Sequence, residues 1–315
     1  MSNNKISSSK KKIGVALGTG SARAIAHIGV LKALEREGIN IDVISGTSFG
    51  GLIAGMYASG MKPEEIEDTF LKLTKKKVFS LFRPAPRRSG FIDKKRLERF
   101  VREFVKDIDI SDLKIPFGAP CLDIMTGETV VIDRGPLVRA IMATLSYPIL
   151  FTPTEYYGRY LIDGGTVDPL PVDIARGLGA EIVIASFPFP SANERLRRIT
   201  ESMLNNKVDK TICFIHSDNG ISNGKNADSG KGLFNGNKKD GPINMAHIFM
   251  QLSSILENQI LLLQWEKHKP DLLIVPDVND IKPLEFHRAR DAIPAGEKAV
   301  MEVLPRIREI IKGQK

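Results

Sequence analysis

An α/β fold, three layers deep with a mostly parallel central sheet, is predicted by three features of this sequence. Short apolar runs such as Ile13-Gly14-Val15-Ala16-Leu17, Ile41-Asp42-Val43-Ile44 and Ala180-Glu181-Ile182-Val183-Ile184 read as strands. Segments with apolar residues at helical spacing lie between them. At 315 residues the chain can bury one large core, and recurring strand-helix patterns favour a single α/β unit with helical additions over two unrelated domains.

The first strand, 13–17, runs into Gly18-Thr19-Gly20-Ser21-Ala22-Arg23, and the helix behind it, 22–37, carries Ile25, Ile28, Leu31 and Leu34 on one face. Such a small-residue turn leaves backbone N–H groups free to hold negative charge. The second strand, 41–45, ends in Gly46-Thr47-Ser48-Phe49-Gly50, and an apolar helix, 49–59, follows with Leu52, Ile53, Ala54, Met56, Tyr57 and Ala58. A serine between two glycines, with a strand before and a helix after, has the form of a nucleophile elbow: the glycines let strand and helix pack closely, and the hydroxyl projects beside the helix's positive end. Further strands are expected at 115–122, 129–132, 160–162, 181–186 and 272–276, and helices at 63–76, 93–106, 136–144, 170–178, 243–268 and 295–312. The strand 160–162 delivers Asp163-Gly164-Gly165, a carboxylate on a strand end before a glycine turn.

The helix 243–268 carries Met245, Ile248, Phe249, Leu252, Ile255, Leu256, Gln259 and Leu263 along one stripe. Core packing is expected of it rather than a membrane span, because Gln251, Glu257 and Asn258 interrupt it. The last helix presents Ala299, Val300, Val303, Leu304, Ile307, Ile310 and Ile311, stops at Gly313 and closes the domain.

In order and spacing, the blocks at 18–23, 46–50 and 163–165 resemble the three signature blocks of the patatin-like phospholipases. Ala26-His27-Ile28-Gly29-Val30-Leu31, Ser146-Tyr147-Pro148, Phe151-Thr152-Pro153 and Pro169-Leu170-Pro171-Val172 are similar to the bacterial branch of that family, which resembles the neuropathy target esterase catalytic domain. The likeness runs from about Lys12 to the C-terminus, apart from residues 191–242. It implies a patatin-like serine hydrolase without cofactor, acting on phospholipid or lysophospholipid. Ser48 would be the nucleophile and Asp163 its partner, with no histidine. The elbow would comprise Gly46, Thr47, Phe49 and Gly50, and Gly164 and Gly165 would form the turn after the aspartate. The implied oxyanion hole is built from backbone N–H groups around Gly20, Ser21 and Ala22, with Arg23 closing the loop. An aspartate in water is too weak a base for a serine hydroxyl, but desolvation raises a carboxylate's pKa toward the working pH.

The chain departs from the family inside that loop, with Thr19, Ser21 and Ala24 where glycines are usual. Gly20 is expected to need a conformation open only to glycine, and Ala24 to sit within the helix's first turn at no cost. Two other readings stay open at this stage. A Ser-His-Asp triad esterase would need His216, His247, His268 or His287, and a lipid-binding or regulatory protein would carry a weakened site. A dinucleotide-binding protein fits least, since the first turn lacks the third glycine of that fingerprint.

Residues 1–11 form a polar, Lys-rich tail with no apolar region of the kind a secretory signal has, and no apolar stretch reaches the roughly 18 residues of a spanning helix. A cytoplasmic protein is expected, with Cys121 and Cys213 as reduced structural thiols. His27 is expected to be packed or hydrogen-bonded. No metal-ligand spacing or nucleic-acid reading module is visible. The net charge of +8 draws the chain toward anionic surfaces, and Lys75 to Arg83, with Arg87, Arg88 and Phe91, mixes cations with bulky apolar groups as a peripheral membrane contact would. One catalytic domain is expected over 12–312, interrupted near 219–241 by a disordered polar insertion rich in Gly, Asn and Ser.

Overall fold

The computed structural model describes residues 11–83, 92–148, 150–188, 245–265 and 267–313. The tail before Lys11, the polar insertion, Arg87, Arg88, Phe91, Cys213 and His216 lie outside the described residues, as does the side chain of His247. Among the described residues eight strands form one sheet: β1 (Ile13–Leu17), β2 (Val43–Gly46), β3 (Phe117–Asp123), β4 (Thr129–Ile132), β5 (Thr154–Tyr156), β6 (Arg159–Asp163), β7 (Ile182–Ser186) and β8 (Leu272–Ile274). Their order is β5-β6-β3-β2-β1-β7-β8, with β4 paired to β3. The run β3-β2-β1-β7-β8 is parallel, whereas β4, β5 and β6 make the antiparallel edge.

The strand pleat sorts the core into two layers. Ile13, Val15, Leu17, Ile44 and Ile184 point to one face, which is covered by α1 (Ala26–Arg36), α2 (Phe49–Ala58), α3 (Pro63–Leu71) and α9 (Ala289–Lys312). Ala16, Val43, Val183, Ala185 and Leu273 point to the other, under α7 (Val172–Gly177) and α8 (Met245–Trp265). Strands covered on both faces read as nearly continuous apolar runs, which is why they stood out. Also present are α4 (Lys75–Leu81), α5 (Lys94–Arg102) and α6 (Leu137–Thr144).

The structure departs from expectation in five places. The helix expected at 63–76 is two helices, because Thr74 caps α4 by accepting from the Lys77 N–H. The last helix starts at Ala289 and carries Pro294 and Pro305 within it. Close packing on α1 offsets the backbone bond each proline removes. The helix after the first turn begins with a tighter 3₁₀ turn, Ser21–Ile25. Strand β5 was not anticipated; it forms a hairpin with β6 across Tyr157 (φ 46°) and Gly158 (φ 79°), a two-residue connection with the positive φ angles such hairpins require.

The largest correction concerns α8. Ile248, Leu252, Ile255, Leu256 and Leu263, expected in the core, are exposed, and so is Gln259. The buried face carries Ser253, Asn258, Leu261 and Trp265. Helical spacing identifies an apolar stripe but not the side on which the body lies.

Candidate active site

Strand register brings the elbow and the aspartate to one level. Ser45 of β2 pairs with Gly118 of β3, and three residues further along each chain stand Ser48 and Cys121; Cys121 pairs in turn with Asp163 of β6. The Ser48 hydroxyl donates to Asp163 Oδ2 at 2.5 Å. Ser48 itself has φ 57° and ψ −126°, a strained conformation of a kind that costs roughly 1–3 kcal/mol and persists where surrounding contacts enforce it. Those contacts are visible. The Thr144 hydroxyl accepts from the Ser48 N–H at 2.9 Å, and the Thr47 N–H donates to the Leu17 carbonyl at 3.0 Å. A Cβ on Gly50 would lie 2.4 Å from the Gly18 carbonyl oxygen, so only glycine lets α2 start this close to the first turn.

That turn is held from behind by a closed ring of hydrogen bonds. The Gly18 N–H donates to the Ser186 carbonyl at 2.9 Å, and fully buried His27 joins the Ser186 hydroxyl (3.0 Å) to the Gly18 carbonyl (2.9 Å). A carbonyl can only accept, so Nε2 carries the proton and Nδ1 accepts from Ser186. Burial pushes the His27 pKa down to about 4, against the Gly18 bond that raises it, so the ring is neutral. Within the turn, the N–H groups of Thr19, Ala22 and Arg23 donate to Pro169, Pro283 and Gly20 carbonyls. Those of Gly20 and Ser21 have no partner among the described residues. Arg23 is buried, and its Nε donates to the Ile281 carbonyl at 2.8 Å.

The expectation for Gly20 needs correcting. Its φ of 168° is extended, and what excludes a side chain there is Pro188, whose Cγ would lie 2.6 Å from an added Cβ. The left-handed position falls on Ser21, φ 52°, held by a 2.5 Å bond from its hydroxyl to the Pro283 carbonyl. Ala24 is buried inside the 3₁₀ turn. Ala24→Gly is therefore expected to change kcat by less than about threefold; a tenfold rise, about 1.4 kcal/mol in the barrier, would show that the native loop is impaired.

Asp163 is 1% exposed, and burial pushes its pKa up to about 7, against the bonds from Ser48 and the Gly165 N–H that lower it. A carboxylate so placed can accept the serine proton near neutral pH. Its backbone N–H donates to the Ser146 carbonyl at 3.1 Å. Lys94, pushed down to about 8 mainly by burial, donates to the Ser146 hydroxyl, the Thr152 carbonyl and the Thr154 hydroxyl. Thr144, Ser186 and Lys94 were not singled out in the sequence, since none belongs to a motif. Glu257 of α8 was noted only as an interruption, yet it faces Asp163 across Gly165. Among the described residues no group of three or more metal-ligating side chains converges.

Aromatic rings connect the elbow to α4: Phe49 lies 4.4 Å from Phe286, which stacks on Phe82 at 5.1 Å.

A family model for patatin-like phospholipase matches residues 15–176, which span the turn, the elbow and Asp163. An uncharacterized NTE family protein of Mycobacterium tuberculosis is 36% identical over 178 residues, covering 56% of this chain and 49% of that protein. Lysophospholipase NTE1 of Scheffersomyces stipitis is 32% identical over 183 residues, 56% of this chain and 12% of its own length. Patatin-like phospholipase domain-containing protein 6 of Mus musculus is 36% identical over 182 residues, 55% of this chain and 13% of its own. The matched part thus amounts to half or less of each relative's length.

Proposed function

The chain belongs to the patatin-like phospholipase family, and from that premise we propose that it is a serine acyl hydrolase that cleaves acyl esters of phospholipids or lysophospholipids through a Ser48–Asp163 dyad. The observation that carries the reading is the direct 2.5 Å bond between the elbow hydroxyl and a buried carboxylate. Asp163 takes the Ser48 proton as Oγ attacks the ester carbonyl carbon. The N–H groups of Gly20 and Ser21 hold the oxyanion, a role in which losing one donor typically costs about a hundred- to a thousand-fold in rate. Collapse breaks the bond to the alcohol oxygen, which leaves with the proton from Asp163. Water then attacks the acyl-serine, giving its proton to Asp163, and the fatty acid departs as Ser48 regains its hydrogen. No step calls on a cofactor. The catalytic domain of this proposal spans 12–312.

Fatty-acid release from monoacyl and diacyl phospholipids, measured beside a chromogenic acyl ester, tests the reading. Turnover is expected from the native enzyme and only background from Ser48→Ala. No release from any of the three substrates would remove it.

The same proposal places the enzyme reversibly on anionic membrane. In α4, Lys75, Lys76 and Lys77 are exposed and Phe79 is 71% exposed, while Val78 and Phe82 turn inward. Among the described residues no helix is long and apolar enough to cross a bilayer. Each basic residue near an anionic surface contributes about 1 kcal/mol, so a Lys75→Gln, Lys76→Gln, Phe79→Ser variant is expected to lose about tenfold or more on anionic vesicles and almost nothing on a soluble ester. Equal loss on both would assign these residues to the site instead.

A further inference from the structure

Glu257 has no task in the dyad mechanism, yet it stands beside it. The inward face of α8 carries Ser253, Glu257, Asn258, Leu261 and Trp265, and the helix is pinned where Gln264 Nε2 donates to the Val167 carbonyl at 2.7 Å. A Cβ built on Gly165 would lie 3.2 Å from Glu257 Oε1 and 3.3 Å from Asp163 Oδ1. Two carboxyl groups therefore face each other across one glycine, with no side chain between them. Among the described residues nothing donates to Glu257 or pairs with it as a cation. Its surroundings, with Tyr147 and its bond to Ser253 nearby, resist ionisation: burial first, then the charge of Asp163, push the Glu257 pKa up to about 8. Half-buried and without a donor among the described residues, this carboxyl keeps hydrogen-bonding capacity that a bound group can use.

The chemistry says which part of a substrate lies there. Asp163 must return the serine proton to the departing alcohol oxygen, so the alcohol occupies the Asp163 side of Ser48, opposite the Gly20–Ser21 turn. Glu257 borders that alcohol. In a monoacyl glycerolipid the carbon next to the ester bears a free hydroxyl, whose oxygen lies roughly one hydrogen-bond length, about 3 Å, from the ester oxygen. A carboxyl accepts from that hydroxyl whether ionised or neutral, whereas an acylated neighbour offers no donor and leaves Glu257 unpaired.

Resting on the dyad reading, we propose that Glu257 binds the free hydroxyl next to the cleaved ester and thereby selects a leaving alcohol with vicinal oxygens, only one of them acylated. The residue lies outside the segment matched by the family model, and it selects substrate rather than taking part in the proton transfers.

The test compares kcat/KM on 1-acyl-lysophosphatidylcholine, on its 2-deoxy analogue and on a soluble chromogenic ester, for the native enzyme, Glu257→Leu and Glu257→Gln. The native enzyme is expected to favour the hydroxyl-bearing lipid by about tenfold or more, as a site that hydrogen-bonds a substrate hydroxyl rejects the analogue that lacks it. In Glu257→Leu that ratio should fall toward one while the soluble ester is turned over within about twofold of native. Glu257→Gln keeps an acceptor and should retain most of the preference. A native ratio near one, an unchanged ratio in Glu257→Leu, or equal loss on all three substrates would overturn the proposal, the last by showing a structural role. If Glu257→Leu does not fold, the ratio in Glu257→Ala decides; if lysolipid turnover is too slow to measure, equilibrium binding of ether-linked versions of the same two lipids decides. Failure of the dyad reading shows separately, as soluble-ester activity that survives Ser48→Ala.

Discussion

Ser48→Ala and Asp163→Asn are each expected to lower kcat for ester hydrolysis by about ten-thousand-fold or more while leaving the fold intact, and the double variant is expected to be no worse than either single one. Groups that act as a unit are grossly non-additive, because removing either member already abolishes the step they share. The hydroxyl here donates directly to the carboxylate at 2.5 Å. Single substitutions of His216, His247, His268 and His287 should leave the rate within about threefold of native, since a dyad draws on no imidazole. His268 is engaged elsewhere, with Nδ1 3.9 Å from Asp173 Oδ2. Loss of turnover from any of these four with folding preserved would move the enzyme to the triad class. His27 is a separate case: it braces the Gly18 carbonyl, so its loss would disturb the oxyanion turn without making it a proton carrier. Progress curves and circular dichroism on the same samples check both halves of the expectation.

Legibility followed the range of the interactions. The elbow is written in five consecutive residues, and strands buried on both faces announce themselves as apolar runs, so β1, β2 and β7 were readable to within a residue or two. What depends on the third dimension was not. The outward turn of Leu252 and Leu256 follows from where the body of the protein lies, and no periodicity carries that information. The same reversal hid Glu257, which reads as a flaw in an apolar stripe until the stripe is seen to face outward. The oxyanion turn was legible in outline and not in detail. Which N–H groups stay free is set by the carbonyls of Pro169 and Pro283, contributed from far along the chain, and the residue of that turn in the left-handed region is Ser21 rather than a glycine. Thr144 and Lys94 have no local signature. Thr144 holds Ser48 itself and Lys94 holds Ser146 behind Asp163, and only the folded register brings them there.

Asp163→Asn is also expected to make the protein more stable at pH 8, by an amount that shrinks as the pH falls. In the native fold the Asp163 pKa is about 7, against 3.8 for an ordinary aspartate. Folding therefore tightens proton binding at this site, so the associated stability is fully present below about pH 4 and is lost as pH rises through about 7. A shift of this size corresponds to about 4 kcal/mol, and asparagine, which has no charge to bury, escapes the loss while still accepting from Ser48. Activity runs the other way. The carboxylate must be ionised to take the serine proton, so kcat/KM should fall about tenfold per unit as the pH drops below about 7. The loss of stability between pH 4 and pH 8 and the gain of activity are then two readings of one desolvated carboxylate. Urea unfolding of the native protein and Asp163→Asn at pH 5 and pH 8, beside the pH profile of kcat/KM, measures both. If the stability difference between the two proteins is the same at both pH values, Asp163 titrates as an ordinary carboxylate, and burial is not what makes it a base.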